Sequence, residues 1–385
     1  DNVPANEFLN LEGNKISTLK CEDNKISTIT PEDLPKIQYL YCWNNEFDSL
    51  DFGAVNTSID QVMHYIPESH DFTDVESYEA WGGEITVSSE DNKVYFISDL
   101  ISINETNFPD SLFREYVEKT YDMDKNEKLS KAERDAVTVM RVDNEGISDL
   151  TGVKCFTALE KLSCSNNYLS ALDLSGNIYL NDVDCSSNRL VKLDLSSNDY
   201  MKNIICNDNQ ITELELGSIL MVEAISCNDN QLDKLAIDGC TGLKSLSCKN
   251  NKLTELDIDS NTALDSLYCN NNMLSSLYVG KCAALTKMDC SKNELKKLNV
   301  SKNSELVSLY CDYNQLTSLV LNEKLNSLSC SNNELSTLDL TGYNSMYSLE
   351  CYDNNITYID TKAPLSINKL YCWGNAFDRL DITLK

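Results

Sequence analysis

Residues 242–263, GLKSLSCKNNKLTELDIDSNTA, form the unit from which most of this 385-residue chain is built. Around Cys248, the apolar and asparagine positions of the unit are Leu243, Leu246, Asn251, Leu253, Leu256 and Ile258. Cysteines recur at a step of 21 residues at positions 164, 185, 206, 227, 248, 269, 290 and 311, and then at 330, 351 and 372 after one 19-residue step. A fixed period in this range predicts a solenoid, because so small a unit buries its apolar face only by stacking on its neighbours.

The cysteines of this period are predicted to fill the core. Thirteen of the 16 cysteines, including Cys21 and Cys42, share one slot, and Val142 fills it in the first rung of the main array. Buried cysteine behaves as a small hydrophobe, so we expect free thiols. Disulfides between neighbouring strands, which stack ~4.8 Å apart, remain an alternative. Cys240 and Cys282 share a different slot two rungs apart, about 10 Å by the same spacing, and are not expected to pair.

The charge balance limits the classes of partner. A formal net charge of −29 argues against nucleic acid and anionic membranes, which attract lysine and arginine. It favours cations and basic or neutral partners. No apolar run approaches the ~20 residues of a membrane-spanning helix, and residues 1–20 lack a signal-peptide pattern. We therefore expect no direct membrane insertion.

The order of segments predicts two repeat blocks. Residues 1–52 carry the repeat and match the end of the chain at an offset of 330, with LYCW in both, so they are interpreted as the last rungs of a preceding block. Residues 53–100 break the period, and ITVSSEDNKVYFIS predicts a hairpin there. Residues 101–137 are predicted to form a helical cap with an entry helix at 107–119, and 138–385 the main array of about 12 rungs. The near-duplicate ends predict a longer protein.

One acidic loop has the spacing of a calcium site. DMDKNEKLSKAE places side-chain or carbonyl oxygens at EF-hand-like positions, from Asp122, Asp124, Asn126, Lys128, Ser130 and Glu133. Glu127 stands where that loop normally carries glycine, and there is no room for a second long helix before the first rung. The alternatives are a structural calcium ion and an acidic helix-loop-helix cap without an ion. His64 and His70 are expected to be ordinary surface residues.

Two polar columns repeat with the cysteines. Asparagine follows each register cysteine by three residues, and its donor and acceptor can satisfy the turn backbone of two successive rungs. The second half of many units reads LDL and yields an acidic column of Asp51, Asp173, Asp194, Glu215, Asp257, Asp339, Asp360 and Asp381. Carboxylates ~5 Å apart in water favour a solvated face over a cation site.

The consensus LxxLxCxxNxLxxLDLxxN resembles the nested 21-residue class of bacterial leucine-rich repeats known as IRREKO, over residues 137–381 and again over 9–52. The acidic-loop cap is similar to caps that precede such arrays in secreted or surface proteins of gut Firmicutes and related bacteria. The resemblance implies a mostly β, right-handed solenoid of short parallel strands, which is an α/β-class repeat by architecture. It also implies an extracellular or cell-surface recognition protein without enzymatic activity.

The front strands are the predicted binding surface. Residues on either side of each cysteine point outward, because side chains alternate along a strand. Small polar groups occupy these slots in the first rungs, and aromatic residues occupy them later, at Tyr268, Tyr310, Tyr352, Tyr371 and Trp373, with Tyr313 one position further from its cysteine. Tyrosine and tryptophan are common at the energetic centres of interfaces. The rings could instead only shield the narrow strand surface, with Tyr371 and Trp373 belonging to a terminal unit that Tyr41 and Trp43 repeat.

The function hypotheses follow from this surface. The first is a recognition protein that binds a protein or a glycan through its front face. The alternative is a structural spacer or assembly repeat of a larger surface protein, which the near-duplicate ends favour. The sequence carries no GxSxG, HExxH or P-loop motif, so an enzyme is not expected.

Overall fold

The computed structural model describes residues 101–123, 125–360 and 365–378, together with the backbone of six strands before residue 101. Two compact units are present. The first comprises Asp1–Asn104 and Val117–Ala136, and the second Glu105–Tyr116 and Val137–Lys385. The side chains of Cys21, Cys42, His64 and His70, and the predicted calcium ligand Asp124, lie outside the described residues.

The first unit contains a short parallel sheet and an antiparallel one. Strands β1 (Thr18–Lys20), β2 (Tyr39–Tyr41) and β4 (Gln61–Met63) pair in parallel, with Leu19 opposite Leu40 and Leu40 opposite Val62. The repeat therefore continues for one strand into the segment expected to be irregular, without a cysteine to mark it. The expected hairpin is present as β5 (Gly83–Val87) and β6 (Lys93–Ser98), and β6 also pairs with β3 (Ser49–Asp51).

The second unit is built on one parallel sheet of twelve strands, one for each rung that Val142 and the cysteines mark. The strands are β9 (Val139–Arg141), β10 (Lys161–Ser163), β11 (Asp182–Asp184), β13 (Asn203–Ile205), β15 (Ala224–Ser226), β16 (Ser245–Ser247), β17 (Ser266–Tyr268), β18 (Lys287–Asp289), β20 (Ser308–Tyr310), β22 (Ser327–Ser329), β24 (Ser345–Glu350) and β26 (Ser366–Tyr371). Pairing holds one register throughout, with Leu246 opposite Leu267 for example. The predicted leucine-rich solenoid is confirmed.

The core is a stack of inward side chains. In the three-residue front strands from β9 to β22 the central residue is buried, and its neighbours mostly lie outward, as for Leu246 between Ser245 and Ser247. Cys248 and the other register cysteines from Cys164 to Cys351 have no exposed surface, and Val142 is buried in the same slot. The inward position follows from the two-residue alternation of a strand, and the small thiol fits the narrow turn after it.

The asparagine column confirms the prediction made for it. Asn251 donates its side-chain amide to the carbonyls of Cys227 (3.0 Å), Cys248 (3.2 Å) and Lys249 (3.1 Å), and its oxygen accepts the amide N–H of Leu232 (3.0 Å). The same pattern recurs from rung to rung, for example at Asn230 and Asn272. Each asparagine thus ties its own turn to the preceding rung and satisfies polar groups that the core would otherwise leave unpaired.

The residue before each asparagine has a left-handed backbone. This position, two residues after the cysteine, has φ between 52° and 63° in every rung from Asn166 to Gly374. Asparagine, aspartate and glycine tolerate this conformation, and they hold the position in most rungs. The exceptions are Ser187, Lys292 and Tyr313.

The back of the solenoid has shorter strand pairs. These are β12 (Lys192–Asp194) with β14 (Glu213–Glu215), β19 (Lys297–Asn299) with β21 (Ser318–Val320), and β23 (Thr337–Asp339) with β25 (Tyr358–Asp360). In the turns that follow the back segment, buried asparagines such as Asn261 donate their side-chain amides to carbonyls of the preceding rung. Cys240 and Cys282 occupy this second slot, and the Cys282 thiol lies 3.6 Å from the carbonyls of Ile258 and Asn261. A thiol therefore replaces the asparagine amide as a weak donor.

Helix α1 (Ser111–Tyr121) begins later than the predicted 107–119. Asp110 accepts the amide N–H groups of Leu112 and Phe113, so Asp110 caps the helix and Pro109 precedes it. The other oxygen of Asp110 accepts from the N–H and hydroxyl of Ser148 in the first turn of the array. Neither α1 nor α2 (Lys131–Asp135) is long or apolar enough to cross a bilayer, and the described residues contain no other helix that could.

Candidate functional site

Many polar side chains of the front face are already used within the solenoid. Asp143 accepts hydrogen bonds from Ser163 and Ser165 of the next rung. Asn228 does the same for Ser247 and the amide N–H of Lys249. From the sequence, every outward position beside a cysteine is equally able to contact a partner. The structure instead assigns most small polar ones to bonds between rungs, so the aromatic side chains are the main groups left to meet a partner.

Three of the predicted aromatic residues form one cluster. The rings of Tyr352 and Trp373 are stacked, with centroids 4.3 Å apart and planes 7° apart. Tyr371 meets Trp373 edge to face at 6.0 Å. Trp373 remains 57% exposed and Tyr371 41%. Such mutual packing fixes the rings before any partner arrives, which lowers the entropy lost on binding.

Tyr310 and Tyr313 lie on the same front surface, a few rungs earlier. They are 43% and 52% exposed. On β20, Tyr310 pairs with Ser329, and Ser329 pairs with Glu350, which lies beside Tyr371. The rung spacing of ~4.8 Å therefore places Tyr310 about 14 Å from Tyr371. We call Tyr310, Tyr313, Tyr352, Tyr371 and Trp373 the front aromatic patch.

Tyr268 stands apart from this patch. Asp289 separates it from Tyr310 along the sheet, and the ammonium of Lys249 lies 4.8 Å from the centre of its ring. Tyr268 instead borders an open groove of ≈ 430 Å³ on the front face, floored by small side chains including Ala224, Ser226 and Ser245. The alanine and serines at the strand starts are the sequence signal for this groove, which sequence reasoning missed.

A second exposed apolar surface was also missed. On the turns that lead into the front strands of three successive rungs, five large apolar side chains are exposed: Ile178, Tyr179, Tyr200, Leu220 and Met221. The rings of Tyr179 and Tyr200 lie 5.8 Å apart. Tyr179, Tyr200 and Met221 are 21 residues apart, and the same position is Gly242 and Ala263 in the next two rungs. The change from large to small residues at this position was visible in the sequence.

The described members of the acidic column, from Asp173 to Asp339, lie on the back in solvent, as predicted. Asp173 and Asp194 are exposed, and each accepts the N–H and hydroxyl of the serine two residues later. Lysines pair with part of the column, as in Lys154–Asp173 at 3.1 Å and Lys192–Glu215 at 2.7 Å. An open groove of ≈ 630 Å³ on this face is lined by Asp238, Glu255, Asp257, Asp259 and Tyr278 among others.

The predicted calcium loop folds around its own hydrogen bonds. Asp122 accepts the amide N–H groups of Asn126 and Glu127, while Lys125 and Glu127 have left-handed backbones with φ of 60°. Strand β8 (Lys128–Leu129) pairs with β7 (Ile101–Ser102), and the side chain of Asn126 accepts the Lys128 N–H. The described part of the loop is thus held by bonds to the side chains of Asp122 and Asn126.

The glutamate expected to complete the calcium shell has another role in the structure. One carboxylate oxygen of Glu133 accepts the Met123 N–H at 2.7 Å, and the other accepts the N–H and hydroxyl of Ser130. Glu133 and Ser130 form the capping box of α2. Among the described residues, which leave out Asp124, no group of three or more His, Cys, Asp or Glu side chains is placed to hold a metal ion.

The thiols of the core are chemically quiet. In the described residues the cysteines are free, and all except Cys155 and Cys372 are buried. Burial raises the pKa of the Cys185 and Cys227 thiols to about 12, because a thiolate would lose its hydration there. Since the thiolate is the reactive form, the arrangement indicates packing and not thiol chemistry.

Comparisons with known proteins support the repeat class. No family model matches the chain. A curated relative, internalin J of Listeria monocytogenes, is 34% identical over 70 residues, which is 18% of this chain and 8% of that protein. The chain thus matches only a small part of that relative's length.

Solved structures give a longer match. A structure described as the functional domain of internalin J from Listeria monocytogenes, including a cysteine ladder, is 27% identical, covers 74% of this chain and 73% of that chain, and has a TM-score of 0.56. The leucine-rich-repeat domain of APL1 matches at a TM-score of 0.50 with 17% identity over 66% of this chain and 82% of that chain, which shows a shared fold. The APL1 domain is a leucine-rich-repeat domain by description, so the match shows that this chain has the leucine-rich-repeat fold.

Proposed function

We propose that this leucine-rich-repeat protein, which is similar in sequence to a bacterial internalin, is a non-enzymatic recognition protein of a bacterial surface or secretome. It binds a protein ligand through the front aromatic patch. The observation that carries the proposal is the packed pair of Tyr352 and Trp373 with Tyr371 against it, exposed beside Tyr310 and Tyr313. A rigid, exposed aromatic surface offers large contact area at low entropic cost.

The patch is tested by removing its rings. The full chain with Tyr310, Tyr371 and Trp373 all replaced by alanine is expected to lose at least about 100-fold in affinity for a captured protein ligand, because each ring that acts as a hot spot contributes about 2 kcal/mol. To find ligands, the parent protein is immobilised and exposed to a mixture of extracellular proteins, and it is also applied to a glycan array. The affinities of parent and variant are then compared by calorimetry.

A matched control comes from the same chain. Tyr168, Tyr179 and Tyr200 are each about half exposed and lie off the patch. Their triple alanine variant is expected to bind like the parent. Normal binding by the patch variant would refute the patch, and loss of binding only in the control would move the site to the Tyr179–Tyr200 surface. Ligands found only on the glycan array would replace the protein ligand by a saccharide. If no ligand of either kind is found, the spacer alternative gains support.

A second proposal concerns calcium. We propose that the loop of Asp122 to Glu133 takes a structural ion weakly, at the millimolar level of extracellular calcium modules. The bonds that already hold the loop around Asp122 support the proposal. We expect weak binding because Glu133 must first give up its hydrogen bonds to Met123 and Ser130 before it can contact the ion. Titration calorimetry is expected to give heat in the parent protein and none with Glu133→Gln. Glu127→Gly, which relieves a left-handed glutamate, is expected to tighten binding. Absence of heat in both the parent and Glu127→Gly at millimolar calcium would end the idea.

A further inference from the structure

A group of acidic and aromatic side chains occupies one place on the front face. Asp289 on β18 stands directly opposite Tyr310 on β20. Asp312 follows two residues after Tyr310 and so lies on the same face, and Tyr313 is next in the chain. Tyr352 completes the group, because it directly follows its register cysteine, as Asp312 does, and so lies in the same column two rungs or about 10 Å further along. We call Asp289, Tyr310, Asp312, Tyr313 and Tyr352 the tyrosine–aspartate cluster.

Asp312 is an unfavourable residue in its surroundings. One of its oxygens accepts from the Ser329 hydroxyl and the Ser331 N–H, bonds that Asn207 and Asn228 make to the next rung from the same slot as neutral amides. Burial raises the pKa of the Asp312 carboxyl, and the charge of Asp289 raises it further. An asparagine would therefore keep the same bonds without a partly desolvated charge. Asp143 makes the same bonds from this slot in the first rung with a lowered pKa, so the cost at Asp312 comes from its burial beside Asp289 and not from the slot itself.

The backbone conformation of Tyr313 is also unfavourable for its residue type. Its φ of 52° places a bulky side chain in the left-handed region, at a position where most rungs use asparagine, aspartate or glycine. Such strain persists where the surroundings fix it, and it concentrates at functional sites. Two residues of one cluster thus stand at positions that are unfavourable for them.

The chemistry of the cluster fits a cation. Exposed tyrosines of this chain attract its own cations: Arg189 lies 4.7 Å from the ring centre of Tyr168, and within the cluster Lys292 lies 6.0 Å from that of Tyr313. Among the described residues, no cation of the chain lies over the ring of Tyr310. The ion pairs of the described rungs lie elsewhere, for example Lys281–Asp259, and neither Asp289 nor Asp312 takes part in one. Two carboxylates beside the exposed ring of Tyr310 match an ammonium or guanidinium group, which pairs with acids and binds aromatic faces.

We propose that the tyrosine–aspartate cluster binds an arginine or lysine side chain from a basic segment of the protein partner. This deepens the proposed function and rests on it, since the cluster shares Tyr310, Tyr313 and Tyr352 with the front aromatic patch. The formal net charge of −29 favours the approach of a basic segment and its orientation toward this face.

The test uses a defined probe on the full chain. The peptide Gly-Arg-Gly-Arg-Gly, with Gly-Glu-Gly-Glu-Gly as its acidic counterpart, is titrated and followed by chemical-shift changes. Asp312→Asn keeps the bonds to Ser329 and Ser331 and is expected to lower the affinity for the arginine peptide about tenfold. Asp257→Asn on the back face removes the same charge from an exposed carboxylate that accepts the Asp259 N–H, and is expected to leave the affinity unchanged.

Tyr313→Asn separates binding from folding. Asparagine suits the left-handed backbone, so this variant is expected to melt at or above the temperature of the parent protein and yet bind the arginine peptide several-fold more weakly. Equal weakening by Asp312→Asn and Asp257→Asn would mean that only net charge attracts the peptide, and would overturn the proposal. Unchanged binding in Asp312→Asn and Tyr313→Asn would do the same.

The outcome is independent of the test of the aromatic patch. A captured ligand that needs Tyr371 and Trp373 but is indifferent to Asp312→Asn would leave the proposed function standing and refute the basic segment. A ligand indifferent to all of these substitutions would refute both.

Discussion

Raising the pH above about 9 is expected to unfold the protein steeply, because the core is lined with thiols. Ten register cysteines have pKa values raised by burial: Cys164, Cys185, Cys206, Cys227, Cys248, Cys269, Cys290, Cys311, Cys330 and Cys351. The ordinary value is 9.0, and that of Cys351 in the fold is about 12. Between these values the unfolded chain releases protons that the folded chain retains, so the free energy of unfolding falls as the pH rises.

The expected size of this effect is large. Each thiol that ionises only on unfolding contributes about 1.4 kcal/mol of lost stability per pH unit, so ten together contribute on the order of 10 kcal/mol per unit. That is comparable to the whole stability of an ordinary domain. Circular dichroism and thiolate absorbance, followed together from pH 7 to pH 11, are expected to change in one coincident transition.

The same titration contains its control. Below pH 8 both states hold their thiol protons, so the thiols make no contribution to any pH dependence there. Substituting Cys248 by valine, which fills this slot at position 142, removes one titrating group and is expected to make the alkaline loss less steep. Thiolate absorbance that rises near pH 9 while the circular dichroism stays constant would show that the cysteines are accessible in the fold.

Replacing Asn251 by alanine is expected to lower the free energy of unfolding by about 3 kcal/mol. The substitution removes the donor shared by the carbonyls of Cys227, Cys248 and Lys249, and leaves the buried N–H of Leu232 without its acceptor. An unsatisfied buried polar group costs about 1–3 kcal/mol, and more than one is created here. Urea unfolding measures the loss, and hydrogen exchange of the Leu232 amide locates it.

Asn250 supplies the control for this prediction. It is the neighbouring residue, exposed and left-handed, with φ of 54°. Asn250→Gly removes exposed side-chain bonds to Asp229 and Asn271 but suits the backbone, and is expected to change the stability by less than about 1 kcal/mol. Similar losses in the two variants would contradict a special role for the buried asparagine column.

The solenoid was predictable because each of its rules repeats with the 21-residue unit. Strand alternation sends Leu246 and Cys248 inward, and Asn251 bonds to its own turn and to the equivalent turn of the preceding rung. The left-handed position could also have been read from the sequence, since Asn166, Asp208 and Gly374 occupy one column with Tyr313 as its exception. These properties depend on local spacing and repeat with it.

The candidate site was predictable only as a set of residues. The sequence indicated that Tyr310, Tyr352 and Trp373 face outward, and the structure decided that Tyr352 and Trp373 stack while Tyr268 stays apart beside Lys249. It also showed that Glu133 caps a helix, a role that the S-x-x-E spacing of Ser130 and Glu133 indicates and that the calcium interpretation left out.

The cysteine column, which at first suggests chemistry, was therefore determined by the sequence alone as core packing, because its geometry is the same in each rung. Tertiary structure alone decided which front side chains are free. Asp143 and Asp312 bond to serines of the next rung, about twenty residues along the chain. Such contacts depend on the stacking distance and on the rotamers of two separate rungs, and no pattern within a single repeat specifies them.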